Sequence, residues 1–125
     1  MRPLACSGFS FVLIFLIFNI NFAQTSNYPT FHEDIAPIIY NNCTECHRDG
    51  QSGPMSFTNY LEVASLGSMI QYVTQTEYMP PWHADTEYSN FIGERELTDE
   101  EIDLISEWVS NGMPQGDPSL EADIP

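Results

Sequence analysis

Five consecutive residues, Cys43-Thr44-Glu45-Cys46-His47, place two thiols and an imidazole in one short segment. Two cysteines three positions apart, with a histidine directly after the second, have the spacing for covalent attachment of a c-type haem. Two thiols can add across the two vinyl groups of the porphyrin, and an imidazole can ligate its iron. The spacing therefore predicts that Cys43 and Cys46 attach one haem and that His47 is its proximal ligand.

Two other chemistries use similar patterns, a thioredoxin-like dithiol and part of a zinc site. A zinc site of this kind takes a second Cys pair or two histidines, but Cys6 is the only other cysteine in the chain. The remaining histidines are His32 and His83. A thioredoxin-like motif follows a strand in a βαβ unit, and the sequence contains no convincing strand. Haem is the favoured interpretation, and a haem-free dithiol or metal-binding domain is an alternative.

A second candidate ligand lies in the segment Tyr78-Met79-Pro80-Pro81-Trp82. A residue before proline is pushed out of the α region, and this applies to Met79 and to Pro80 in succession. Met79 therefore lies on a stiff extended segment, which suits a thioether that must stand at a fixed distance from a metal. We predict Met79 as the distal iron ligand.

Other side chains could take this place instead. Met79 could be a flexible gap filler of the core, and His83, four residues further on, is then the alternative ligand. Met55 and Met69 lie in or beside predicted helices and are interpreted as packing residues. The further ligand candidates are Met113 and His32.

The N-terminal stretch has the layout of a secretory signal peptide. Arg2 is its only charge, an apolar run covers residues 11–18, and small Ala23 precedes polar Gln24. The run is short for a membrane span. Asn21 stands where the cleavage signal prefers a small residue, so retention as an N-terminal anchor is the alternative. We predict a signal peptide over residues 1–23, a linker over 24–29, a haem domain over 30–118 and a flexible tail over 119–125.

The chain is strongly acidic, with 18 acidic and three basic side chains and a formal net charge of −15 at pH 7. No lysine is present. This balance argues against nucleic acid and anionic membrane surfaces as partners, and it favours basic proteins met through electrostatic steering. A generic solubility surface is the alternative interpretation.

Cap signals and apolar spacing predict four helices. Thr30 and Glu33 have the capping-box form for the first helix, with Asp34 as the alternative N-cap. Thr98 and Glu101 form the clearest capping box and begin the last helix.

The two middle helices are predicted from shorter signals. Thr58 or Ser56 caps a helix that runs to about residue 65, and Ser68 with Gln71 begins one that runs to about residue 77. The predicted core residues are Ile35, Ile38, Ile39, Phe57, Leu61, Ile70, Tyr72, Val73, Phe91, Ile102, Ile105, Trp108 and Val109.

The order of a helix, the Cys-x-x-Cys-His motif, a loop, helices, a methionine and a last helix resembles a class I monohaem cytochrome c. A bacterial subgroup is more similar still, with Met-Pro-Pro-Trp-His-Ala-Asp after the second helical region and Leu-Thr-Asp-Glu-Glu before the last helix. Here these stretches are residues 79–85 and 97–101. The resemblance covers residues 31–118. It implies an all-α fold, a small cytochrome c-like domain wrapped around one covalent haem.

The resemblance also implies roles for single residues. By it, Cys43 and Cys46 carry the thioether bonds, His47 is the proximal ligand and Met79 the distal one. One departure is visible, because family members often have a small residue where Met113 stands.

The expected function is that of an exported carrier of single electrons between redox partner proteins, and not that of an enzyme. Because c-type haem is attached outside the cytoplasmic membrane in bacteria, a periplasmic or secreted location is expected. The enzyme-like alternative is a haem with an open distal site that binds peroxide or a diatomic gas, served by His83 if Met79 does not ligate.

Overall fold

The structure, a computed structural model, describes residues 28–81, 88, 92 and 95–124. The predicted signal peptide, residues 1–23, lies outside the described residues, as do the rival ligand His83 and the predicted core residue Phe91.

The described chain is helical and contains no strand. This confirms the all-α prediction at the level of fold class for these residues. In chain order the elements are a π-helical turn, Phe31–Ile35, helix α1, Ala36–Asn42, helix α2, Tyr60–Ser65, helix α3, Gly67–Gln75, helix α4, Asp99–Ser110, and a 3-10 turn, Pro118–Leu120.

The first helical segment begins after Thr30, as predicted, but the predicted reciprocal box with Glu33 does not form. The Thr30 hydroxyl donates to Glu33 Oε2 at 2.8 Å, whereas the Thr30 backbone N–H donates to Asp34 Oδ2 at 2.7 Å. The N–H of Ile35 then bonds the carbonyl of Thr30, five residues back, which makes the first turn wide. Pro37 lies in the first turn of α1, directly after the π-helical turn, and it has no N–H to donate back to that turn.

An aromatic cluster forms the centre of the core. Trp108 on α4 is fully buried, and its ring lies 6.1 Å from that of Phe31. Phe31 also makes edge contacts with Tyr40 and Tyr60. Trp108, predicted as a core residue, is therefore buried and packs against the first helical segment. The stripe of Ile35, Ile38 and Ile39 is buried as predicted.

Two predicted core residues are exposed instead. Leu61 is 75% and Tyr72 64% exposed. On α2 the buried residue is Val63, two positions after Leu61 and so on the opposite side of the helix. On α3, Ile70 and Thr74 are buried, which leaves Tyr72 between them on the far face. Apolar residues spaced by two in a short helix cannot both face one core.

The predicted caps of the two middle helices are also wrong. Asn59, not Thr58 or Ser56, caps α2, and its side chain accepts a bond from the Glu62 backbone N–H at 3.1 Å. Helix α3 already begins at Gly67, so Ser68 lies inside it. A side chain at position 67 would meet the Met113 thioether, so the flexible Met113 side chain would have to shift to make room for it.

Helix α4 begins and ends as predicted. The Thr98 hydroxyl accepts from the Glu101 backbone N–H at 3.2 Å, while Glu101 Oε2 accepts from the Thr98 backbone N–H at 2.9 Å. Asn111 is the C-cap, and Gly112 adopts a φ of 82°, the left-handed conformation that ends many helices.

The segment after α4 runs along the first helical segment. The backbone N–H groups of Phe31 and His32 donate to the carbonyls of Pro114 and Gln115 at 2.9 and 3.1 Å. Further on, Glu121 accepts a 2.6 Å bond from the Tyr40 hydroxyl. Burial and this carboxylate raise the pKa of Tyr40, so the hydroxyl stays a donor at neutral pH. The flexibility of residues 119–125 stays a prediction.

Within the described ranges, no helix is both long enough and apolar enough to cross a membrane.

The capping box that forms, at Thr98, and the predicted cap that does not, at Ser68, make a matched pair for mutation. Thr98→Ala should lower the free energy of unfolding by about 0.5–2 kcal/mol, because α4 loses the acceptor for the Glu101 N–H. Ser68→Ala should change it by less than about 0.5 kcal/mol, because this exposed side chain caps nothing. Denaturant unfolding of both variants measures the difference, and equal losses would contradict the assignment of the cap to Thr98.

Candidate functional site

The Cys-x-x-Cys-His motif follows α1 directly and forms a tight turn. The Cys43 N–H bonds the Ile39 carbonyl at 2.8 Å and so continues the helix. The N–H groups of Cys46 and His47 then both bond the Cys43 carbonyl, at 3.2 and 2.9 Å. Both cysteines are free thiols. The end of α1 therefore positions all three predicted haem residues.

The ring of His47 is held on two sides. Its Nδ1 lies 3.3 Å from the Met55 carbonyl oxygen, and the ring stacks on Phe57 with centroids 4.7 Å apart. A backbone bond from the Phe57 N–H to the His47 carbonyl, 2.9 Å long, closes the same loop. When Nδ1 donates to the Met55 carbonyl, Nε2 is the nitrogen that is free to bind a metal.

Gly53 allows the loop to come this close to the imidazole. A Cβ at this position would lie 2.6 Å from His47 Nδ1 and 2.7 Å from the Cys46 carbonyl oxygen. The Gly53 N–H donates to that same carbonyl at 2.7 Å. No side chain fits here while the His47 ring keeps its place.

A cavity of about 400 Å³ opens beside the motif. This volume falls in the range of roughly 300–1,000 Å³ that is usual for ligand and cofactor pockets. The four predicted site residues all line it, and most of the rest of the lining is apolar. The lining residues are Asn42, Cys43, Cys46, His47, Ser52, Gly53, Pro54, Met55, Phe57, Leu66, Met69, Ile70, Val73, Thr74, Met79, Pro80, Pro81 and Arg95.

Met79 reaches the cavity from the turn that ends α3. Its N–H donates to the Val73 carbonyl at 3.0 Å, and the Tyr78 N–H donates to the same carbonyl at 2.9 Å. Met79 is half-buried. The structure therefore brings Met79 into the same cavity as Cys43, Cys46 and His47.

Two of the competing ligand candidates lie elsewhere. His32 is buried against the rings of Phe31 and Tyr60 and does not line the cavity. Met113 packs against Gly67. His83 lies outside the described residues.

Met55 and Met69, which the sequence analysis interpreted as packing residues, both line the cavity. They are 37% and 57% exposed. Their spacing in the sequence gave no sign of this, because the cavity is formed by two distant stretches, 42–57 and 66–81, together with Arg95.

Arg95 is a site residue that the sequence analysis missed. Among the described lining residues it alone carries a permanent charge, and it forms an ion pair with Glu45 inside the motif. The pair joins residues 50 positions apart. The sequence signal that could have indicated Arg95 is the small number of basic residues, because it is one of only three Lys or Arg side chains in a strongly acidic chain.

Burial raises the pKa of the Cys43 thiol to about 12, with smaller contributions from the negative charges of Cys46 and Glu101. The thiol is therefore protonated at neutral pH. A protonated thiol is a poor nucleophile for disulfide exchange and a poor metal ligand. This weighs against the dithiol interpretation. In the described part of the chain, no group of three or more His, Cys, Asp or Glu side chains is arranged to hold a metal ion.

The donor set fits a covalent haem. It offers two free thiols, an imidazole with Nε2 uncommitted and a thioether, all on one apolar cavity. Comparisons with known proteins identify no relative: no family model, no curated protein and no solved structure matches the chain.

Gly53→Ala should displace the His47 ring or the loop that covers it. Overpacking of this kind costs about 1–3 kcal/mol, so we expect a lower free energy of unfolding for the purified protein. Ser52→Ala, on the same loop and exposed, is the control and should stay within about 0.5 kcal/mol of the parent. Denaturant unfolding compares the two, and an unaffected Gly53→Ala protein would contradict the close approach.

Proposed function

We propose that this chain is an exported single-haem electron carrier of the kind that the class I cytochromes c represent. The observation that carries the proposal is the convergence of four donors on one apolar cavity. Cys43, Cys46 and His47 come from the turn after α1, and Met79 comes from the turn after α3. Nothing in local sequence requires residues so far apart to share a cavity.

The motif turn supports covalent attachment. Cys43 and Cys46 would each add their sulfur to one carbon of a vinyl group and their proton to the other, so no oxidant is needed. His47, with Nδ1 committed to the Met55 carbonyl, would present Nε2 as the proximal ligand.

The residues of α3 and its final turn would complete the site. Met79 would supply the distal thioether, and the apolar side chains of Ile70 and Val73 would cover the porphyrin and exclude water. When bound, the haem supplies the one-electron chemistry, through iron that cycles between the ferrous and ferric states. Burial and His/Met ligation both raise the reduction potential.

The partner would be chosen by charge. A net charge of −15 attracts basic surfaces over distances comparable to the Debye length. We therefore propose redox proteins with basic docking surfaces as partners, met after export to the periplasm or the exterior.

Covalent haem should be detected on the denatured full chain after expression in cells with the machinery for cytochrome c maturation. A chain with Cys43→Ser and Cys46→Ser together should lose the signal completely, because no sulfur remains for attachment. Cys6→Ser is the matched control and should retain it, since Cys6 lies in the predicted signal peptide. A parent chain that stays colourless under these conditions would refute the haem function and leave the dithiol or metal-binding alternative.

The ferric protein should show a low-spin absorption spectrum with a sulfur-to-iron charge-transfer band. A thioether on the iron gives this band, whereas the open distal site of the peroxide or gas-binding alternative gives a high-spin spectrum. A high-spin parent protein that binds added cyanide at once would therefore decide for that alternative.

Electron transfer to a cationic redox reagent should slow as the ionic strength rises from about 0.01 to 1 M, because the Debye length falls from ~30 to ~3 Å. An anionic reagent of similar size and potential is the control, and its rate should rise. Stopped-flow absorbance measures both rates. Rates that ignore salt would rule out steering by the acidic surface.

A further inference from the structure

Helix α3 presents one continuous face to the cavity. The lining residues Met69, Ile70, Val73 and Thr74 follow the three- and four-residue spacing of a single helical face. Ile70 and Thr74 are buried, whereas Met69 is more than half exposed at the edge of this face. Met69 therefore belongs to the cavity wall without being locked in the core.

Met69 and Met79 lie on the same wall. Met69 precedes Val73 by four residues, which is about one helical turn and ~6 Å along the axis. The Met79 N–H bonds the Val73 carbonyl at 3.0 Å. One helix and the turn that ends it thus carry two thioethers, while His47 belongs to the wall formed by the motif and its loop.

The other methionines of the described chain are placed differently. Met55 belongs to the His47 wall, because its own carbonyl lies 3.3 Å from His47 Nδ1. Met113 packs against Gly67, away from the cavity. Met69 is therefore the one other described thioether on the wall that carries Met79.

We propose that Met69 is a reserve axial ligand, which takes the distal position when Met79 is displaced. The inference rests on the proposed haem function. A methionine side chain is unbranched and flexible, and moving the exposed Met69 breaks few core contacts. The exchange needs the flexible Met69 side chain to swing by about one helical turn along the wall, while the buried Ile70 and Thr74 keep α3 in place. No lysine exists in the chain to compete as an amine ligand.

The reserve ligand would keep the distal side occupied by sulfur. Loss of Met79 alone would then leave the protein an electron carrier and closed to peroxide or diatomic gases. In a site with a single methionine, by contrast, loss of that residue would change an electron carrier into a haem protein open to peroxide or diatomic gases.

The test uses full-length chains produced with cytochrome c maturation: the parent, Met79→Leu, Met69→Leu, and both together. Leucine keeps the apolar volume without a sulfur. Met113→Leu combined with Met79→Leu is the matched control. Ferric absorption spectra report the spin state and the sulfur-to-iron band, and imidazole titrations report how strongly an internal ligand competes.

We expect Met79→Leu to keep a low-spin spectrum and the sulfur band, and the control double variant to match it. The Met69→Leu/Met79→Leu protein should lose the band entirely. It should also bind imidazole at least about tenfold more tightly than Met79→Leu, since a competing internal ligand lowers the apparent affinity by the fraction of open sites.

Two results overturn the proposal: a high-spin Met79→Leu protein, or a low-spin spectrum that survives in the Met69→Leu/Met79→Leu protein. A parent chain without covalent haem instead refutes the haem function itself, so the two failures are distinguishable. If Met79→Leu yields no haem protein, guanidinium titrations of the parent and Met69→Leu decide. The sulfur band should vanish together with tryptophan-monitored unfolding in the parent but before it in Met69→Leu, and identical behaviour overturns the proposal.

Discussion

The orientation of one imidazole is the constraint on which the rest of the site depends. His47 comes directly after two cysteines in a turn that ends α1, so its backbone position is set by the helix. Its ring is set by three different neighbours: the Met55 carbonyl at Nδ1, the Phe57 ring beneath it and the bare backbone of Gly53 beside it. A metal ligand needs this kind of support, because a ring that rotates freely does not present one nitrogen to a fixed point.

The aromatic core and the cavity involve different contacts of the described helices. Phe31, Tyr40 and Trp108 hold the first helical segment against α4. The turn that follows α1 faces the other way, toward α3. Stability therefore has a source apart from the cavity, although a domain of this size buries a limited core. A covalent prosthetic group would add apolar surface in the cavity between the motif and α3.

Local chemistry could be predicted from the sequence, and long-range geometry could not. The thiol and imidazole spacing lies within five residues, and the Thr98 capping box within four. Both patterns could therefore be recognised from the sequence alone. The place of Arg95 depends on a contact across 50 positions, and that of Gly53 on how closely a loop approaches a ring. Leu61 and Tyr72 show the same limit, because a six- to nine-residue helix fits more than one inward face until its neighbours are placed. The matches of Cys43, Cys46, His47 and Met79 to haem roles stay predictions.

The backbone hydrogen bond between Met79 and Val73 affects how the wall of the cavity can move. Because Val73 is itself part of the wall, the thioether and the apolar surface around it belong to a single rigid piece. The opposite end of that piece packs against the Met113 side chain at Gly67. Thermal motion should therefore move Val73, the Met79 backbone and the apolar surface around them together, as α3 tilts about its Gly67 end.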